Sequence, residues 1–165
     1  MGNTESVFSI VENWNQNQHG SAFTGPKCDV IELTSNKKVV IMGIGVVRPD
    51  DGMAQVSVEI KSLEDDVVVA SEKFLVHNGS DEKSEVRELE KERVLRPGVI
   101  YRITVLYEGA SCQAYDTTVP KLKNQGHVIT IRRNLDASME FHSRQLNLIT
   151  DLKFELYEKG RTCCG

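Results

Sequence analysis

Hydrophobic and polar residues alternate with period two along much of this chain. Val56, Val58 and Ile60 alternate with Gln55, Ser57, Glu59 and Lys61. Val99, Tyr101, Ile103, Val105 and Tyr107 alternate with Ile100, Arg102, Thr104 and Leu106, and Leu152, Phe154 and Leu156 with Lys153, Glu155 and Tyr157. Successive side chains of a strand point to opposite faces, so these segments predict strands with one buried face. Residues 39–42 differ, being apolar on both faces, which predicts a strand covered on both sides. They belong to the segment 25–47, around which the rest is organised. Its two β-rich runs, 29–34 and 38–47, are separated by Ser35-Asn36-Lys37, a gap that predicts a tight hairpin. Gly43 and Gly45 lie two apart and share one face of the second run, where a neighbouring backbone or bulky side chain can approach closely.

Turn chemistry punctuates the remainder. Arg48-Pro49-Asp50-Asp51-Gly52, Leu63-Glu64-Asp65-Asp66 and His77-Asn78-Gly79-Ser80-Asp81 are turn signals. Val7, Phe8, Ile10 and Val11 supply a first strand ending near Trp14, and Val67 starts another that reaches Val76. Residues 115–119 and 128–131 are short strands, 120–126 a loop, and 138–143 a strand with Met139 and Phe141 on one face. Residues 82–93 have helical propensity, but only Val86 and Leu89 could face a core and so short a polar helix is marginal alone; the residues leave helix and strand open, the family resemblance given below implies a strand over 84–90, and the charges there would blunt a sheet edge. Ten or eleven short strands at this spacing predict an all-β fold, an antiparallel β-sandwich. The 165 residues suit one domain: an N-terminal segment with the first strand (1–13), the sandwich (14–158) and a flexible tail (159–165).

Composition narrows the function. A net charge of −4 with both signs interspersed gives no footprint for nucleic acid, and Lys121, Lys123, Arg132 and Arg133 are assigned to solvated loop and strand-edge positions. No apolar run approaches the roughly 20 residues of a transmembrane helix, and no signal peptide is evident. The four cysteines, Cys28, Cys112, Cys163 and Cys164, lack metal-ligand spacing and predict free thiols in a reduced, cytoplasmic protein. Gly2 with Ser6 fits the N-myristoylation pattern, and Cys163-Cys164 are candidates for a second acyl anchor, so a membrane tether is compatible with this location.

Recognisable catalytic machinery is sparse. Gly43-Ile44-Gly45 lacks the third glycine and following helix of a dinucleotide fingerprint. His19, His77, His127 and His142 have no pairwise spacing that would build a metal site; three of them fall in predicted loops and only His142 in a strand. Cys112 could serve as a nucleophile with a distant histidine, but nothing adjacent would lower its pKa. The sequence therefore predicts a non-enzymatic protein with no cofactor and no metal.

The runs Asp29-Val30-Ile31-Glu32-Leu33 and Val40-Ile41-Met42-Gly43-Ile44-Gly45 resemble the "D-x-I-x-F … I-x-G-I-G" core of the PHR domain, found in Pam/Highwire-type ubiquitin ligases and BTB-domain adaptors. Leu95, Gly98 and Tyr101 resemble its "L-x-x-G-x-x-Y" element, and residues 109–112 its following glycine- and cysteine-containing loop. The sequence departs from the family where Val46-Val47-Arg48 replaces "L-Y-G" and where Asn147-Leu148-Ile149-Thr150 lacks the glycine and proline of "G-Q-I-P". The resemblance implies a β-sandwich that recruits a partner protein, often beside ubiquitin-ligase parts. The expected contact loops are 14–24, 48–52 and 109–116, with Trp14, His19, Phe23, Arg48, Asp50, Asp51, Cys112 and Tyr115 as contact residues. Asp29, Gly43, Gly45 and Tyr101 are expected to be structural. The rival expectation is a carbohydrate- or small-ligand-binding sandwich that stacks its ligand on Trp14 and exposed tyrosines.

Overall fold

In the computed structural model the period-two segments become strands. The structure describes residues 4–13, 26–79, 81–109, 111–112, 115, 117–133, 144–145 and 147–156. Among these the strands are β1 (Thr4–Ser9), β2 (Val11–Asn13), β3 (Lys27–Ser35), β4 (Val39–Val47), β5 (Met53–Ser62), β6 (Val67–His77) and β7 (Ser84–Leu95). They continue with β8 (Tyr101–Gly109), β9 (Thr117–Thr118), β10 (Lys121–Asn124), β11 (His127–Arg133), β12 (Arg144–Gln145) and β13 (Ile149–Leu156). There is no helix among the described residues. The small sheet has the order β1-β13-β4-β7 and the large one β10-β11-β3-β8-β5-β6, with β12 joining β3 in parallel and β2 pairing with β9 as a separate ribbon. Every other pairing is antiparallel, and the fold is the expected β-sandwich.

The core lies between the two inner faces. Ile31, Leu33, Val56, Val58, Ile60, Ile103 and Val105 come from the large sheet, and Val39, Ile41, Ile44, Val46, Leu152, Phe154 and Leu156 from the small one. Each such side chain contributes about 1.5–3 kcal/mol on burial. β5 alternates between buried and open positions as its sequence predicts, and β4 is buried along its whole length.

Three sequence expectations are corrected. The segments 29–34 and 38–47 do not form a hairpin: β3 hydrogen-bonds to β8 and β11, β4 to β13 and β7, and residues 36–38 arch from one sheet to the other. The turn is held by β11. Asn36 N donates to Val128 O (3.1 Å), and Asn36 Oδ1 accepts from Val128 N (2.8 Å). Asn36 thus extends the β3–β11 ladder and leads the chain away from its own sheet. Second, residues 120–126 are not a plain loop. They hold β10, whose Leu122 enters the core, and a two-residue turn in which Gln125 (φ 52°) and Gly126 (φ 85°) are both left-handed, as tight hairpin turns require. Third, His127 opens β11 and is buried, where a loop position was expected, and neither ring nitrogen has a hydrogen-bond partner. The strand assigned to 138–143 lies outside the described residues.

Gly43 and Gly45 do admit close neighbours, and the neighbours are identifiable. A Cβ on Gly43 would sit 2.8 Å from Arg87 O and 3.4 Å from Lys153 Cβ. One on Gly45 would sit 2.6 Å from Asp151 Oδ2 and 2.9 Å from Thr150 Oγ1. In both cases a β13 side chain passes over β4 to reach β7. Lys153 Nζ meets Glu88 Oε2 at 2.5 Å above Gly43, and Asp151 Oδ2 accepts from Ser84 Oγ at 3.3 Å above Gly45. The glycines keep β4 bare so that its two flanking strands can touch across it.

β7, where helix propensity competed, is the edge strand of the small sheet. It carries an insertion: Gly43 faces Glu88 and Ile41 faces Arg93, so four residues stand against Met42 alone. Around this bulge β7 reaches β6, the edge of the other sheet. Arg87 Nη2 donates to Leu75 O (2.6 Å), Arg93 Nε to Val69 O (2.6 Å), and Glu90 N to Glu72 Oε2 (2.7 Å). The Arg87 guanidinium also lies 4.9 Å from the Phe74 ring. Side chains thereby close two edges against each other.

Candidate functional site

Two of the three predicted contact loops meet at one end of the sandwich, where β4 leads into β5 and β8 ends. Pro49 forms an isolated bridge with Cys112, Asp50 N donates to Ser111 O at 2.7 Å, and Ser111 Oγ donates to Asp50 Oδ2 at 3.2 Å. The β6–β7 connection joins them: Asn78 N donates to Gly52 O (3.1 Å) and Asn78 Nδ2 to Asp50 O (3.2 Å). Arg48 is half-buried, donates Nη1 to His77 O (2.8 Å) and pairs with Glu85 (3.1 Å). Backbone and side-chain bonds thus fix this rim, while Asp50 and Asp51 remain exposed, together with Asp81, Glu82, Lys83 and Glu108.

Cys112 and Tyr115 are corrected as contact residues, because both are buried; Cys112 bridges Pro49 beneath the rim, while the Tyr115 hydroxyl bonds Ile149 and Arg133 in the interior. Trp14, His19 and Phe23, the loop 14–24 they belong to, and Gly2, Cys163 and Cys164 lie outside the described residues.

Beneath the rim is a buried polar cluster. Asp29 points inward from β3 with no exposed surface. Its Oδ1 accepts from Arg133 Nε at 2.8 Å and its Oδ2 from Arg133 Nη2 at 2.7 Å. Oδ2 also accepts from the backbone N–H groups of Leu148 and Ile149, each at 2.8 Å, where the chain enters β13 of the opposite sheet. Arg133 Nη2 donates to Tyr115 Oη (2.5 Å), and that hydroxyl donates to Ile149 O. One carboxylate therefore fixes two strands of the large sheet to one of the small sheet. Burial alone would lower the Arg133 pKa, but the Asp29 carboxylate outweighs it and raises it. Burial raises the Tyr115 hydroxyl.

A second tyrosine makes a similar tie, Tyr107 Oη donating to Val47 O at 3.1 Å. Its ring lies 5.3 Å from Lys27 Nζ, an ammonium whose pKa burial lowers. Tyr101, at the other end, accepts from Arg96 N at 2.9 Å. These three tyrosines are buried, so none can stack on a sugar. Burial pushes the Cys112 thiol up to about 11, and burial followed by the Asp29 charge does the same for Cys28. Both are protonated at neutral pH and poor nucleophiles. Among the described residues no three His, Cys, Asp or Glu side chains could hold a metal ion, and no helix is long and apolar enough to cross a membrane.

Sequence reasoning named Asp29 as structural but missed its partner. Arg132 and Arg133 were both assigned to solvent, yet adjacent strand residues face opposite ways: the Arg132 side chain is 76% exposed and that of Arg133 9%. The available signal was the carboxylate itself. A buried Asp needs a cation or several N–H donors, and here they come from Arg133 on the neighbouring β11 and from the Leu148 and Ile149 N–H groups of the opposite sheet. No protein-family model matches this chain, and no curated protein matches it either.

Proposed function

We propose that this chain is a protein-recognition module whose contact surface is the rim formed by residues 48–52, 77–79, 81–83, 108–109 and 111. The observation that carries this reading is the bracing of exposed charges on a fixed frame. Asp50 is bonded through its backbone N–H and carbonyl to Ser111 and Asn78, leaving its carboxylate at the surface with Asp51. Asp81, Glu82 and Glu108 add negative charge, and among the described rim residues the cations are the exposed Lys83 and the half-buried Arg48, which is paired with Glu85. A surface of this sign suits a basic protein partner, with association that weakens as salt rises. The resemblance to the PHR domain supplies the class of assembly, adaptor or ubiquitin-ligase complexes. Its motif residues Asp29, Gly43, Gly45 and Tyr101 act here in the scaffold, leaving the loops to specify the partner.

The test is affinity capture with the full chain beside an Asp50→Lys/Asp51→Lys variant. The expected result is a set of basic partners captured by the parent chain and lost with the variant, at unchanged melting temperature. Capture of the same partners by both proteins would overturn the reading.

A further inference from the structure

We propose that β1 is a self-association edge, on which a second copy of this chain adds its own β1 antiparallel, joining two small sheets into one. This surface is separate from the rim and does not depend on it. Among the described residues the ends of the two main strand orders are β1 and β7 in the small sheet and β10 and β6 in the large one, and β1 differs from the other three. β6 and β7 are bonded to each other by Arg87, Arg93 and Glu72. β10 is four residues long and carries the exposed Lys121 and Lys123, the length and charge that discourage strand addition. β1 is longer, at six residues, and its one charged residue is Glu5. Its residues Thr4-Glu5-Ser6-Val7-Phe8-Ser9 include no lysine, proline or glycine, and β13 is the only strand paired with it among the described residues.

The register shows which groups are free. Ile10 N donates to Thr150 O at 2.9 Å, and Thr4 faces Leu156 in the same register, so even-numbered residues of β1 bond to β13. The N–H and C=O groups of Glu5, Val7 and Ser9 therefore point to the open side. The side chains suit a copy of the same strand. With a two-fold axis at Val7, Val7 faces Val7 of the second copy and Glu5 faces Ser9, so no like charges stand opposite each other. Val7 is 53% exposed on the free protein and would be covered by this pairing. A single strand-to-strand contact is small, so the dimer is a weak, concentration-dependent one.

The experiment is sedimentation of the full chain over a concentration series reaching about 0.5 mM, the regime of small interfaces. It is compared with Val7→Lys, which opposes two charges at the axis, and with Val7→Pro. Because the Val7 N–H faces away from β13, proline there removes a donor from the open edge and none from the existing ladder. The expected result is a dimer that weakens at least tenfold in both variants, with far-UV circular dichroism unchanged. A second measurement places the contact. In a chain whose Cys163 and Cys164 are serine, Val7→Cys should cross-link under mild oxidation, since opposed hydrogen-bonded residues lie about 5.5 Å apart, within disulfide reach. Val67→Cys, equally open but on another strand, should not. A chain that stays monomeric throughout the series would overturn the proposal, as would a dimer indifferent to Val7→Lys or a cross-link equally efficient at both positions. The Asp50→Lys/Asp51→Lys rim variant should dimerise like the parent chain, which separates this proposal from the partner-binding one.

Discussion

The two faces of β3 carry the same chemistry with different consequences. On the inner face Asp29 pairs with Arg133, and on the outer face Glu32 pairs with Arg132 (2.9 Å) and Arg102 (3.2 Å). Both arginines of β11 are adjacent in sequence, and both carboxylates are buried. The inner pair has Arg133 shut away from water and two backbone N–H groups of the other sheet on the same carboxylate. The outer pair stays within one sheet and has Arg132 open to solvent. What a charged pair does for a fold is thus set by what else converges on it. The inner pair decides where β13 enters the small sheet, while the outer one ties together strands already joined by their ladders.

That contrast can be tested by substitution. Asp29→Asn keeps the shape but leaves a guanidinium buried without its counter-charge, and should cost about 3–5 kcal/mol in denaturant unfolding. Adding Arg133→Met should recover part of the loss, and full additivity of the two changes would show that the residues do not act as a unit. Gly43→Val and Gly45→Val come next, at about 1–3 kcal/mol each from overpacking. Gly45 should be the costlier, because its Cβ would meet Asp151 Cβ at 2.7 Å as well as a hydroxyl. A wild-type melting temperature for either would reject the crossing of β4 by β13 side chains. Glu32→Gln should have the smallest effect, about 1 kcal/mol or less, reduced further by salt, since Arg132 is solvated.

The outer pair should also appear in the pH dependence. Burial would raise the Glu32 pKa, but hydrogen bonds from Arg132 and Arg102 outweigh it and hold the carboxyl below its ordinary 4.5. A depressed folded-state pKa contributes stability that is full above the unfolded value and is lost as pH falls through the folded one. Acid unfolding of the parent chain should therefore show a loss below about pH 4.5 that Glu32→Gln lacks. Identical acid profiles would remove Glu32 from the balance.

The sequence made some of this legible and concealed the rest for physical reasons. Alternation in β5 and β8 exposed their buried faces, and the unbroken apolar run of β4 announced its complete burial. The partnership of β3 and β4 was hidden, because a three-residue gap suits both a hairpin and an arch, and the choice rests on β11 and β13, far along the chain. β10 was hidden because Leu122 is its one apolar residue, so no alternation could show. The rim was half legible: Pro49-Asp50-Asp51-Gly52 marked itself as a turn, while nothing local distinguishes an exposed Cys112 or Tyr115 from the buried ones found. The reach of β7 toward β6 depends on arginines that read simply as surface charge.

The place of β13 has a consequence for how the molecule comes into being. It lies second in the small sheet, between β1 and β4, yet it follows every other described strand along the chain. As the polypeptide leaves the ribosome, β7 can pair with one side of the apolar β4, but β1 and the other side of β4 must wait until β13 arrives to separate and join them. Pairings so distant make assembly slow, on the order of milliseconds to seconds, and for that interval the nascent chain carries a sticky ribbon that a chaperone would be well placed to shield.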